Sequence, residues 1–111
     1  MKRSQLIVQT KRLIAEGERL QISPSLPALR VWLQLSDELL SAAWGRMDRY
    51  HLSWLMVGRT DAGRGRAMSD DEQLAYVRDV AAQKTAALQM SLNAVERQNM
   101  PFLGEDPESA G

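Results

Sequence analysis

Two groups of side chains in this 111-residue sequence have types and spacings that could do chemistry. The first is the segment from Arg46 to His51, in which four residues separate an arginine from a histidine. Histidine can transfer protons near neutral pH, and a guanidinium group can stabilise the negative charge of a phosphate. The second group comprises Arg59, Arg64 and Arg66, which lie in a glycine-rich stretch and could together bind a phosphate or a nucleic acid.

The segment from Arg46 to His51 resembles the catalytic motif of the HEPN ribonucleases, which are also small helical bundles. The resemblance covers only these six residues. It implies that His51 acts in proton transfer and that Arg46 stabilises the phosphate in the transition state. On a straight helix the two side chains lie about 140° apart, so convergence requires a break in the helix or a second subunit. The favoured interpretation is a core histidine, because His51 shares the apolar arc of Trp44 and Trp54.

Arginines 59, 64 and 66 belong to the segment 58–68, which has three glycines and few apolar side chains and is predicted to be a loop. The loop leads into a helix N-terminus, where free backbone N–H groups favour an anion. It lacks the Gly-Lys-Ser/Thr spacing of a phosphate-binding loop, and the acidic residues that follow it would repel phosphate. We interpret it as a solvated connection, with binding of nucleic acid, a phosphate ligand or an acidic protein surface as the alternative.

The composition restricts the kinds of site that the chain can build. It has no cysteine, which excludes disulfides and thiolate metal sites, and His51 is its only histidine, which excludes a histidine-rich metal site. We expect no metal and no cofactor. The 14 basic and 14 acidic residues cancel, and this balance argues against a general binder of polyanions.

No segment approaches the roughly 18 consecutive apolar residues that a membrane span needs. The apolar run near the N-terminus, Leu6-Ile7-Val8, is shorter than the apolar stretch of a secretory signal. We therefore expect a cytoplasmic protein without a membrane partner.

Apolar residues recur with the period of an α-helix in three stretches, which predict helices at about 4–20, 27–57 and 69–99. Prolines 24 and 27 separate the first two helices, and Ser69 with Glu72 forms a capping box that marks the start of the third. The second stretch is predicted as one continuous helix. The alternative is a break near Gly45–Arg49, which would give four helices.

The predicted fold class is all-α: a three-helix bundle built on a long antiparallel hairpin of the second and third helices. The first helix covers part of that hairpin. Residues 1–99 form a single helical domain that includes the 58–68 loop, and residues 100–111 form a flexible acidic tail. One short helix cannot cover the whole apolar surface of the hairpin, so self-association is expected.

The functional hypothesis is a non-enzymatic helical interaction protein, such as an adaptor, a regulator or an assembly subunit. It would bind itself and another protein through exposed apolar helix surface. Alternatives are a nucleic-acid binder that uses Arg59, Arg64 and Arg66, and a HEPN-like ribonuclease that uses Arg46 and His51. The expected partner interface consists of apolar, aromatic and arginine side chains on the second helix and in the tail: Leu35, Leu39, Arg46, Tyr50, Trp54, Phe102 and Leu103.

Overall fold

A computed structural model describes residues 1–57 and 69–105 of the chain. The described residues form four helices and no strand: α1 (Arg3–Ile22), α2 (Leu26–Trp44), α3 (Arg49–Met56) and α4 (Asp70–Glu96). The all-α prediction is therefore confirmed, whereas the number of helices is four rather than three. None of these helices combines the length and the apolar character that crossing a membrane would require.

Local sequence explains where α1 and α2 meet. The α1 helix ends at Ile22, just before Pro24, whose ring disfavours helical backbone in the residue that precedes it. The Ser25 side chain then accepts a hydrogen bond from the backbone N–H of Ala28, and Pro27 lies in the first turn of α2. Proline is tolerated there because the first N–H groups of a helix have no partner within the helix.

The prediction of one continuous helix over 27–57 is wrong, and the alternative of a break near Gly45–Arg49 is correct. The helix stops at Trp44 because Gly45 has φ 98°, a left-handed backbone conformation that glycine adopts at little cost. Met47 follows with φ 65°. The residues 45–48 form a turn, called the corner below, which directs α3 back along α2. At the corner the rings of Trp44 and Tyr50 lie 4.4 Å apart.

The capping box predicted for the last helix is present in α4. The Ser69 hydroxyl accepts the N–H of Glu72, and the Glu72 carboxylate accepts the N–H of Ser69. The helix ends at Glu96, five residues before Pro101, and Asn99 adopts φ 51° in the exit from the helix. Asparagine is one of the few non-glycine residues that tolerate this conformation.

The most extensive helix contact joins α4 to α1, not to α2. The two helices run antiparallel, because Arg3 bonds the carbonyl of Val95 and Gly17 lies against Thr85. The predicted hairpin of the second and third helices is therefore not the central feature of the fold. Breaking the long helix at the corner shortens the surface that α2 presents to α4, and α3 takes part of its place.

Two tryptophans hold α2 to its neighbours through both an apolar ring and an N–H group. The indole N–H of Trp32 donates to the carbonyl of Leu13 at 2.7 Å, and that of Trp44 donates to the Ser91 hydroxyl at 2.9 Å. Both rings are buried. A buried indole gains most of its stabilisation from apolar contact, and its partnered N–H fixes which neighbour it faces.

We predict that Gly17→Ala destabilises the protein by about 1–3 kcal/mol, even though alanine favours a helix over glycine by about 1 kcal/mol. A Cβ at Gly17 would lie 2.0 Å from the Thr85 hydroxyl oxygen and 2.7 Å from the Trp32 ring, so α1 would have to move away from both neighbours. Urea unfolding measures the change. The exposed neighbour gives a matched control, since Glu18→Ala is expected to change stability by less than about 0.5 kcal/mol. Equal stability of Gly17→Ala and the native chain would contradict the close packing.

Candidate functional site

Among the predicted site residues that the structure describes, His51 lies in a buried polar environment. Its side chain is 1% exposed and lies on α3. The Nδ1 atom accepts the backbone N–H of Met47 at 2.8 Å, and Nε2 faces the carboxylate oxygen Oδ1 of Asp37 on α2. Because Nδ1 accepts a hydrogen bond, the ring proton of the neutral form is on Nε2, which donates to Asp37. His51 thus joins α2, the corner and α3.

This geometry matches the core interpretation of His51 and gives the ribonuclease hypothesis no support. Both ring nitrogens are already hydrogen-bonded, and the imidazole is shielded from solvent. Arg46 was expected on the apolar arc of a continuous helix, but α2 ends before it, so Arg46 is exposed in the corner. A general base must reach the proton that it removes, and His51 faces its own chain.

A buried lysine on α4, Lys84, contacts α3. The Lys84 ammonium, on α4, donates to the backbone carbonyl of Trp54 at 2.6 Å and lies 4.0 Å from the centre of the Trp54 ring. The ring of Trp54 in turn stacks on His51, with 6.3 Å between centroids. The carbonyl of Trp54 belongs to the last turn of α3, where helical carbonyls lack partners and favour a cation. Lys84 therefore holds the C-terminal end of α3 against α4.

The segment 100–105 was predicted to belong to a flexible tail, but the structure places it against the helices. Phe102 is buried and meets the Trp44 ring edge-on at 5.9 Å. The N–H of Gly104 donates to the carbonyl of Ala43 at 2.8 Å, which supplies a partner to the C-terminal end of α2. A Cβ at Gly104 would lie 2.3 Å from the carbonyl oxygen of Ala42, so only glycine allows this approach.

Arg3 clamps this segment to the start of α1 and the end of α4. Its guanidinium donates twice to the Glu105 carboxylate, at 3.0 and 3.2 Å, and once to the carbonyl of Val95 at 2.9 Å. It also lies 5.5 Å from the centre of the Phe102 ring. A partly buried, bidentate arginine–carboxylate pair is among the stronger polar contacts in proteins. The contacts of residues 100–105 could not be foreseen because their partners are far away in the sequence, and residues 106–111 of the predicted tail lie outside the described residues.

The residues of the expected partner interface separate into two classes in the structure. Four of them, Leu39, Tyr50, Trp54 and Phe102, lie in the chain's own core and are less than 10% exposed. The second predicted helix had more apolar residues than one helix needs because this segment forms two helices, α2 and α3, that fold back on each other. The other three remain on the surface, with Leu35 50% and Leu103 77% exposed and Arg46 exposed in the corner.

One apolar surface on α2 is not covered by the rest of the chain. Its members follow one face of the helix and are all exposed: Ala28, Val31, Leu35 and Ala42. We call this surface the α2 face. Val31 is 60% exposed. Leu103 continues the surface past the end of α2, since a Cβ at Gly45 would lie 3.0 Å from the Leu103 side chain.

Arg59, Arg64 and Arg66 lie outside the described residues, so phosphate or nucleic-acid binding by these arginines stays a prediction. Within residues 1–57 and 69–105 no group of three or more histidine, aspartate and glutamate side chains is placed to hold a metal ion.

Sequence reasoning missed several residues that organise the site, and for different reasons. Asp37 would lie far from His51 on a continuous helix, and only the break brings the two together. Lys84 has no sequence signal that distinguishes it from a solvent-exposed lysine. Arg3 and Gly104 had no local pattern at all. A signal was present only for Gly45, as a glycine inside an otherwise uninterrupted helical pattern.

We predict that Phe102→Ala destabilises the protein by about 3 kcal/mol, at the low end for a buried phenylalanine because the segment can relax. The loss arises from its packing against Trp44 and Arg3. The adjacent residue is the matched control: Leu103→Ala, at an exposed position, should change stability by less than about 0.5 kcal/mol. Both are measured by urea unfolding at low protein concentration. Equal effects of the two variants would show that the segment 100–105 is not docked as described.

Comparison with protein-family models, with curated proteins and with solved structures finds no match to this chain. A function is therefore inferred from the contacts and the exposed surfaces of the chain itself.

Proposed function

We propose that this chain is a helical interaction protein whose binding surface is the α2 face, and that the face is occupied by the α2 face of a second copy. The observation that carries the proposal is the exposure of Val31 and Leu35, at 60% and 50%, on a helix whose neighbouring face carries the buried residues of the core. Grouped apolar side chains of this kind on a protein surface mark sites of interaction with another protein.

The α2 face has the shape of a helix-to-helix contact. Its four side chains lie within about 60° of one another around the helix and extend for about 21 Å along it. Ala28 and Ala42 are small and lie at the two ends, and Leu35 lies midway between them. A second helix can therefore approach closely at both ends of the face while Leu35 packs in the middle.

The order of side chains along α2 favours a second copy in the antiparallel orientation. With the two-fold axis at Leu35, Ala28 of one copy lies opposite Ala42 of the other. Gln34 and Glu38 border the face and interact within the chain at 3.2 Å. In an antiparallel pair each Gln34 amide lies within one turn of the other copy's Glu38 carboxylate. A parallel two-fold pair would place the Gln34 and Glu38 side chains of the two copies on opposite sides of the contact, so this pairing could not form.

The absence of cysteine from the sequence makes single-cysteine crosslinking a direct test. We expect Leu35→Cys to form a disulfide-linked dimer on mild oxidation, because the two-fold axis brings this position next to its own copy. Ala28→Cys and Ala42→Cys should each give little dimer alone and a linked heterodimer when mixed. Arg12→Cys, at an exposed position on α1, is the matched control for random collision.

Each result bears on a different part of the proposal. Dimer formation by Ala28→Cys alone would contradict the antiparallel orientation. If no variant exceeds the Arg12→Cys control and light scattering finds a monomer, self-association is wrong. The same measurement on Leu35→Glu should give a monomer of unchanged helicity, since a carboxylate replaces the central apolar contact.

A further inference from the structure

We propose that the corner is a hinge that opens when His51 takes up a proton, and that the N–H of Met47 is the group released. The neutral ring uses Nδ1 to accept this N–H at 2.8 Å. A second ring proton must bind at Nδ1, because Nε2 already carries the first. Two donors would then face each other, so protonation and loss of this hydrogen bond are one event.

The backbone at Met47 makes the corner sensitive to this loss. Its φ of 65° is unfavourable for a residue with a side chain and persists only when surrounding contacts enforce it. The Met47 side chain is 61% exposed, so packing of that side chain contributes little. The bond to His51 is thus a main constraint on the strained residue, and its loss lets the corner relax.

Asp37 provides the route for proton uptake and remains the partner of the ring. Its side chain is 35% exposed, so it connects the buried imidazole to solvent. Nε2 carries a proton both before and after uptake, so its contact with the Asp37 carboxylate continues to hold α3 to α2. The hinge therefore opens at the corner while the contact between the two helices remains.

Two charged groups lie near the His51 ring on neighbouring helices. The Asp37 carboxylate of α2 faces Nε2. The Lys84 ammonium of α4 lies against the Trp54 ring, which also stacks on His51. The remaining charged side chains of the corner and of the start of α3 are exposed to solvent: Arg46, Asp48 and Arg49. The charge of histidine ordinarily changes between pH 5 and 8, so this is the range in which the hinge is tested.

Amide hydrogen exchange across this pH range tests the hinge in the native chain. After correction for the intrinsic exchange rate, protection of the Met47 amide should fall by about tenfold from pH 7.5 to pH 5.0, as expected for loss of one hydrogen bond. Protection of the Leu52 amide, which donates to the carbonyl of Asp48 inside α3, should change by less than about twofold. The ring ¹⁵N shifts of His51 should report the Nε2–H form at pH 7.5 and the doubly protonated ring at pH 5.0.

Two substitutions of His51 distinguish the roles of its two ring nitrogens, Nδ1 and Nε2. His51→Asn places a non-titrating oxygen near Nδ1, so protection of Met47 should persist at both pH values. His51→Gln places its amide near Nε2 and leaves Met47 without an acceptor, so protection should be low at both. If Met47 stays protected in the native chain while the ring ¹⁵N shifts show full protonation, the hinge is wrong. A ring that stays neutral down to pH 5.0 overturns it as well.

Discussion

The chain reverses direction at the corner, and the buried polar contacts of His51 and Lys84 depend on that reversal. Gly45 ends α2 in a left-handed conformation, and the Met47 N–H is held by a histidine that also binds Asp37. Without the reversal, Asp37 and His51 would lie on one straight helix about 21 Å apart. With it, the buried side of α3 packs against α2 and α4, and one imidazole satisfies a backbone donor and a carboxylate together. The burial of apolar side chains and the hydrogen bonds of the buried imidazole therefore favour the same backbone path.

The parts of the fold that could be predicted from the sequence are those determined by neighbouring residues. Ser69 and Glu72 locate the start of α4 because a capping box acts within one turn. The break at Gly45 could be foreseen only as an alternative, because a glycine on the polar side of a helix is also compatible with a continuous helix. The contact between Asp37 and His51 joins residues on either side of the break, and periodicity carries no information about it.

The same distinction explains which candidate site residues were misplaced. The aromatic residues after the break share the phase of the α2 core, so a continuous helix appeared to have more apolar surface than one chain could bury. Tyr50 and Trp54 cover part of that surface themselves. The segment 100–105 has a composition typical of disorder, but Arg3, about one hundred residues away in sequence, supplies its ion pair. The composition of a segment indicates how much conformational entropy is lost when the segment becomes ordered. It does not show which distant residues supply the contacts that compensate for this loss.

The α2 face and the hinge can act independently because they use different sides of one helix. Leu35 and Asp37 are two residues apart, which places their side chains about 160° apart around α2. Leu35 faces solvent, and Asp37 holds the imidazole on the side toward α3. Protonation of His51 releases Met47, which lies beyond the end of the helix. The released N–H is not part of the α2 backbone, so we expect the surface between Ala28 and Ala42 to be the same whether the corner is open or closed.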